Sequence, residues 1–363
     1  MRHQVRNNMR ETKIGKNVFK VSKNNERELR GFYSKAYSKD HILNNKIHHD
    51  WQFLENPYND FPEKSILIIK ENEIRSHLGI QQIKIKLLDS EIRAAWHMSF
   101  FTLEEYRGKG LGEELILQEK NRFDMTLVLN GSEGTKIIYE KNDGIYFGDL
   151  NRYIAILNKK RIEQFLGIKI ELDETSNDKM SKNFSREKLL DNTYEEFWDK
   201  VKDRYPITIK RERKYLMWRY IEHPLIDYHF MVLRNKEKIV GYAIIHFETN
   251  NDDIKAGRIV DLIVLEEFED EILKSVLNYC RPYVDFVDYY STGNFHENSL
   301  LQTQFFIENK KIKFPSVFRP VDNSRSSKIN FFLRLNKKIE EEDVFNLDKW
   351  YIVKGDSDQD RIN

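Results

Sequence analysis

A single cysteine, Cys280, among 363 residues excludes an internal disulfide and any zinc site built on several thiolates. In the run Leu277-Asn-Tyr-Cys280 it reads as filler on an apolar helix face, not as a nucleophile. No apolar run approaches the roughly 20 residues that span a bilayer. The opening MRHQVRNNMRET has no apolar core of the kind a secretory leader carries, and residues 1–12 read as a flexible arm. Charge of one sign is missing too: 60 Lys and Arg stand against 59 Asp and Glu. That balance leaves no electrostatic footprint for nucleic acid or for an anionic membrane. The expectation is a cytoplasmic protein without nucleic-acid or membrane partners, a monomer or homodimer. Proline and glycine are scarce, at 7 and 15 residues, so the places where they gather carry information.

What is present is length for two hydrophobic cores and the mixed pattern of an α/β or α+β protein, 40% apolar and 13% aromatic. Two stretches repeat one another. Asp50-Trp51-Gln-Phe-Leu-Glu55-Asn-Pro57 matches Met217-Trp218-Arg-Tyr-Ile-Glu222-His-Pro224. In each, a helix-like segment stops before a proline, which disfavours helix in the residue ahead of it. A strand, a charged turn and a second strand follow, Ile66 to Ile74 in one copy and Phe230 to Ile239 in the other. Leu103-Glu104-Glu105-Tyr106 then matches Leu265-Glu266-Glu267-Phe268, and Tyr153 to Lys160 resembles Phe331 to Lys338. Four anchors in one order indicate a tandem duplication. They divide the chain into domains at 13–170 and 191–363 with a polar linker at 171–190.

The copies differ after the shared Leu-Glu-Glu-aromatic. The first continues Arg107-Gly108-Lys109-Gly110-Leu111-Gly112, between a strand expected at Ile92–Phe101 and a helix expected at Leu111–Arg122. Three glycines in five residues give the backbone a close approach to a partner, and at the head of a helix that partner is typically a phosphate. The second copy continues Glu269-Asp-Glu-Ile-Leu-Lys274, with three carboxylates and no glycine, which would repel an anion. It reads as a degenerate copy with an acceptor-side or structural role.

The run Phe100 to Leu115 resembles the acyl-CoA-binding motif of the GNAT superfamily of N-acyltransferases, Arg/Gln-x-x-Gly-x-Gly/Ala between a strand and a helix. A second motif follows a strand expected at Met125–Asn130: Ser132-Glu-Gly-Thr-Lys-Ile-Ile-Tyr139-Glu-Lys-Asn-Asp-Gly144. It is similar to the family's Asn-x-x-Ala-x-x-x-Tyr-Glu-Lys-x-Gly-Phe, with Ser132, Gly134 and Ile145 as departures and one extra residue before Gly144. The resemblance implies two tandem GNAT-like domains, each a mixed, mostly antiparallel sheet flanked by helices. It implies acetyl-CoA or another acyl-CoA as co-substrate and no metal. The pyrophosphate would lie on Gly108, Gly110, Leu111 and Gly112, with Arg107 and Lys109 adding charge. The thioester would lie beside Phe100 and Thr102, and Tyr139 would donate a proton to the departing thiolate. The matching position of the second copy is Phe305, which has no hydroxyl.

Tyr139 is equally open to reading as a core aromatic, since Ile137 and Ile138 precede it. His97 is the candidate base. By strict alternation it points away from Trp96, Met98 and Phe100, unless a bulge intervenes, and it also fits a core histidine. Glu104, Glu105 and His77 are weaker candidates. In the tail, Asp356, Asp358 and Asp360 alternate after Gly355 without the glycine and closing glutamate of a calcium loop. They read as a solvated tail or as a site for a cationic acceptor, tethered by the strand-like Trp350–Val353. The expected reaction is direct acyl transfer, most simply of acetyl, to a primary amine of a small molecule such as an amino sugar. A Fem-type aminoacyl ligase and a non-enzymatic acyl-CoA sensor are the alternatives.

Overall fold

The computed structural model describes residues 18–21, 25–59, 65–71, 73–120, 122–171, 179–309, 312, 314 and 328–360; the expected arm at 1–12 lies outside them. In the first half the strands are β1 (Val18–Lys20), β2 (Ile66–Lys70), β3 (Glu73–Leu87), β4 (Ser90–Thr102), β5 (Met125–Leu129), β6 (Gly144–Asp149) and β7 (Asn151–Ile156). In the second they are β8 (Phe184–Arg186), β9 (Ile207–Ile209), β10 (His229–Asn235), β11 (Lys238–Thr249), β12 (Lys255–Val264) and β13 (Phe286–Ser291). They end with β14 (Phe306–Ile307), β15 (Asn330–Leu335) and β16 (Trp350–Tyr351). The helices used below are α1 (Glu26–Ala36), α2 (Lys46–Phe53), α3 (Leu111–Glu119), α4 (Glu133–Lys141), α5 (Lys159–Leu166), α6 (Thr193–Val201), α7 (Arg213–Leu216), α8 (Glu269–Cys280) and α9 (Glu297–Gln302).

These strands form two mixed, mostly antiparallel sheets flanked by helices. The first runs β1-β2-β3-β4-β5-β15-β6, and the second, read from its β8 edge, runs β8-β10-β11-β12-β13-β7-β14. Position for position the orders correspond, with one exchange: the strand between β5 and β6 comes from the second half of the chain, and the strand between β13 and β14 from the first. The residues of β15 explain how it can sit there. Phe331 and Leu333 face the large core that the sheets share, while Phe332 faces a smaller core under α3 and α4. A strand apolar on both faces belongs in the middle of a sheet covered on both sides.

The domain boundaries expected at 13–170 and 191–363 therefore do not coincide with the sheets. Each sheet closes only with a strand from the other half, and no local sequence signal says which β5-like edge a β7-like strand will join. Within the expected linker at 171–190, residues 172–178 lie outside the described set, and β8 is the edge strand of the second sheet, paired to β10. Other expected elements shift by a few residues. The strand at 92–101 extends to Ser90–Thr102, and the helix from Leu111 stops at Glu119.

The two motif tryptophans meet between the halves. Trp51 and Trp218 stack with centroids 5.0 Å apart, and each indole N–H donates to the other's backbone carbonyl, at 3.0 and 3.1 Å. Reciprocal contacts of this kind are those of a two-fold interface. Phe331, fully buried and stacked on Phe147, joins the same core from the exchanged strand. Phe331→Ala should lower stability by about 3–5 kcal/mol, and one urea transition should follow both halves. Two separate transitions would show that the halves fold independently.

Candidate active site

Two parallel strands, β4 and β5, stay paired only from Ala94↔Met125 to Trp96↔Leu127, although β4 runs on to Thr102. A bulge accompanies their parting. Met98 pairs with Gly79 and Phe101 with His77, so β4 holds one residue more than β3 across this step, and Ser99 takes φ +48°. His77 fixes the bulge. The Ser99 carbonyl can only accept, so Nδ1–H of His77 donates to it at 2.9 Å, and Nε2 then accepts from the Tyr33 hydroxyl at 3.0 Å. Both ring nitrogens are used, so His77 is not free to act as a base. Burial pushes its pKa down to about 3.

The bulge corrects the expected alternation. Trp96 and Met98 do lie opposite His97, but Phe100 does not share their face. It turns to the α3 side, where a Cβ on Gly112 would stand 2.8 Å from its ring. The glycines of the loop therefore have different duties. Gly108 and Gly110 supply positive φ, +73° and +75°, and face open space; Gly112 lets α3 pack on Phe100. Gly110 is the N-cap of α3, and no side chain caps it, so the first-turn N–H groups lack the partner that Ser132 supplies to α4. Arg107 and Lys109 fold back on the loop, donating to the carbonyls of Thr102 (3.2 Å) and Glu105 (2.9 Å). Thr102 hydrogen-bonds Ser76 at 2.8 Å, and Glu104 and Glu105 are exposed. Leu111, the first residue of α3, is buried.

Between the parted strands lies a cleft of about 190 Å³, lined among others by Phe100, His97, Tyr139, Asn130 and Asp358. His97 and Tyr139, 42 positions apart, meet there: the phenol oxygen lies 2.5 Å from His97 Nδ1. Both are buried, and among the described residues His97 Nε2 has no hydrogen-bond partner. Burial, with the positive charge of Arg334 adding to it, holds the imidazole well below its usual pKa. Burial pushes the phenol up, partly offset by Arg334. Arg334 comes from the exchanged β15, opposite Thr126 of β5, and donates to Asn336 Oδ1 (2.8 Å) and to the Ile116 carbonyl (3.1 Å). The extra residue after Tyr139 is absorbed by Asp143 at φ +62°. Gly144 then passes so close that a Cβ would lie 2.6 Å from the Tyr139 carbonyl.

The three tail aspartates part company. Asp356 is fully buried against Arg211 (3.0 Å), which also holds Asp261 (3.1 Å); Asp360 is buried beside His246 (3.3 Å). Neither is solvated and neither lines the cleft, which corrects the reading of a solvated tail for both. Asp358 alone of the three reaches the cleft. Its neighbour Gln359 donates to it at 2.9 Å, accepts from Asn130 at 2.8 Å and donates to the Leu129 carbonyl at 3.4 Å. His246, Glu248 and Asp360 lie close enough to hold one cation, but Arg258 already donates to Glu248 at 2.8 Å. Sequence reasoning assigned no site role to Arg334, Asn130 or Gln359, although Arg334 lies in the repeated Phe331–Lys338 stretch and Gln359 among the tail aspartates.

In the second sheet β12 and β13 part in the same way, pairing from Ala256↔Phe286 to Ile259↔Tyr289, again with a bulge, at Val260. The chain's own tail occupies that opening. Val353 bridges Ser291, the Thr292 N–H donates to the Ile352 carbonyl at 2.9 Å, and the Tyr351 hydroxyl donates to the Leu262 carbonyl. Gly355 packs so tightly that a Cβ would meet the Val260 carbonyl at 2.5 Å. At the head of α8, Glu269 is buried with Arg204 and His296. Phe305 lies past the end of the short α9, not within a helix as Tyr139 does.

No known family model matches the chain, and no curated protein matches it in sequence. Solved structures do match in fold. A GCN5-related N-acetyltransferase from Anabaena variabilis superposes with TM-score 0.61 at 15% identity, over 88% of this chain and 72% of that one. Saccharomyces cerevisiae N-myristoyltransferase with bound myristoyl-CoA gives 0.56 at 10% identity, over 90% and 84%. A GCN5-related N-acetyltransferase from Kribbella flavida gives 0.55 at 10%, over 88% and 70%. The chain has the GNAT fold. No helix among the described residues is long and apolar enough to cross a membrane.

The neutral His77 makes stability depend on pH. An unfolded histidine titrates near 6.5, so between pH 6.5 and 3 the unfolded chain binds a proton that the folded one refuses, and stability falls with pH in that window. From pH 7 to 4.5 this group alone should remove about 2–3 kcal/mol, read from urea midpoints. His77→Gln, whose amide can donate to Ser99 and accept from Tyr33, should lose less over the same range.

Proposed function

We propose that this chain is an N-acyltransferase that moves an acetyl group from acetyl-CoA to the primary amine of a small molecule. The observation that carries it is the uncapped head of α3 behind Gly108 and Gly110, joined through Phe100 to the cleft that holds His97 and Tyr139. Free first-turn N–H groups and the helix dipole suit the pyrophosphate of coenzyme A. The pantetheine arm would run along the open edge of β4, where Ser99 and Phe100 stand outside the β3 register. A backbone N–H of that bulge would serve as oxyanion donor. The amine attacks, the C–N bond forms, the C–S bond breaks, and the thiolate leaves toward the His97–Tyr139 pair.

A cleft of about 190 Å³ falls below the roughly 300 Å³ at which pockets begin to enclose drug-sized ligands. It suits a short acyl group and a small amine better than a long chain such as myristoyl. Asp358, the one carboxylate among the described residues lining the cleft, would hold the acceptor's ammonium group and take its proton to water. An amino sugar is the first acceptor to try.

Calorimetry with acetyl-CoA, followed by thiol release with a panel of amines, tests this reading. Gly110→Asp should abolish acetyl-CoA binding, since it adds both strain at φ +75° and a negative charge. Myristoyl-CoA should not support turnover. Asp358→Asn should raise KM for the amine about tenfold and leave CoA affinity unchanged. Absence of acetyl-CoA binding would refute the reading, and binding without turnover on any amine would favour a sensor.

A further inference from the structure

The His97–Tyr139 pair has two protons to place, and its surroundings decide where they go. The phenol needs an acceptor for its O–H. Among the described residues its hydrogen-bond partner is His97 Nδ1, at 2.5 Å. The competing acceptor is the Thr126 hydroxyl on β5, which interacts with the phenol and lowers its pKa but makes no hydrogen bond of good geometry among the described residues. If Nδ1 carried the imidazole proton, the phenolic hydrogen would be left with only that hydroxyl, outside hydrogen-bond geometry, at a cost of up to about 1–3 kcal/mol. With Nδ1 accepting, a neutral ring keeps its proton on Nε2. That atom is buried, has no partner among the described residues, and belongs to a residue lining the cleft.

We propose that His97 is the cleft's hydrogen-bond donor, its Nε2–H directed at the departing sulfur of the thioester, with Tyr139 as the positioning residue that fixes the tautomer. This rests on the acyl-transfer reading and reverses the roles expected from sequence, where Tyr139 was the acid and His97 the base. The step balances without charging the imidazole. The C–N bond forms, the C–S bond breaks, the amine's proton leaves by Asp358 to solvent, and coenzyme A departs as a thiolate that accepts from Nε2–H. Burial keeps both partners in the required state, and Arg334 reinforces it for the imidazole alone. Its charge, with burial, opposes an imidazolium, while burial keeps the phenol protonated and able to donate. A neutral imidazole used as a donor is an established catalytic device, and a preorganised donor of this kind contributes about 100-fold or more to rate.

The test is nitrogen NMR on the full chain labelled with 15N-histidine, the His97 resonances assigned by their loss in His97→Gln. From pH 5 to 8, His97 should show a protonated Nε2, an unprotonated Nδ1 and no titration, and Thr126→Val should leave this pattern unchanged. Tyr139→Phe should mix the tautomers and lower kcat about 10-fold or more, with acetyl-CoA affinity within about twofold. Glutamine can still present an N–H where alanine cannot, so His97→Gln should stay within about tenfold of wild type while His97→Ala loses about 100-fold. An Nδ1-protonated ring, titration between pH 5 and 8, or equal losses in the Gln and Ala variants would overturn the proposal. Acetyl-CoA calorimetry on the same samples reports the acyl-transfer reading separately, so either can fail alone.

Discussion

Two parallel strands that part leave backbone N–H and C=O groups without ladder partners, and buried groups of that kind must be satisfied. This chain meets the constraint twice, in different ways. Between β12 and β13 the opening is filled by the tail from Trp350 to Gly355, whose backbone and side chains answer Ser291, Thr292 and Leu262. Between β4 and β5 the opening stays a cleft, rimmed by polar groups, with Phe100 in its wall packed on Gly112 of α3. The same scaffold is thus closed in one place and available in the other. The tail links the two: after plugging the second opening it continues to Asp358 and Gln359 at the edge of the first.

The exchanged strands make the cleft a joint product of both halves. β15 brings Phe332 beneath Tyr139 and Arg334 close enough to shift its titration, while Asp358 arrives from the tail. A second copy without the glycine loop is therefore more than a spacer. It supplies a strand, a cation and a carboxylate to the site in the first sheet, and takes β7 in return.

Much of this was legible in the sequence, and the rest was not, for identifiable reasons. Gly108, Gly110 and the start of α3 are local features, and local rules of backbone conformation sufficed. So did the paired Trp51 and Trp218 motifs, though not the fact that their rings stack on each other. The bulge at Ser99 depends on His77, more than twenty residues away, and it moved Phe100 to a face that simple alternation denied it. Asp356, Asp358 and Asp360 look equivalent in sequence. Only their partners Arg211, Gln359 and His246 separate them, and those lie on different elements. The strand exchange was invisible because β7 and β15 resemble one another, which is why either sheet accepts the other's copy.

That exchange also has a timetable. The first sheet has β5 and β6 by residue 149, but the strand between them begins at residue 330. A ribosome adding roughly 5–20 residues per second leaves that gap unfilled for about 10–35 s. Through that interval two apolar strand edges stand open beside a nascent chain, the condition under which β-rich proteins pair wrongly. The first sheet cannot close until the chain has been made as far as β15.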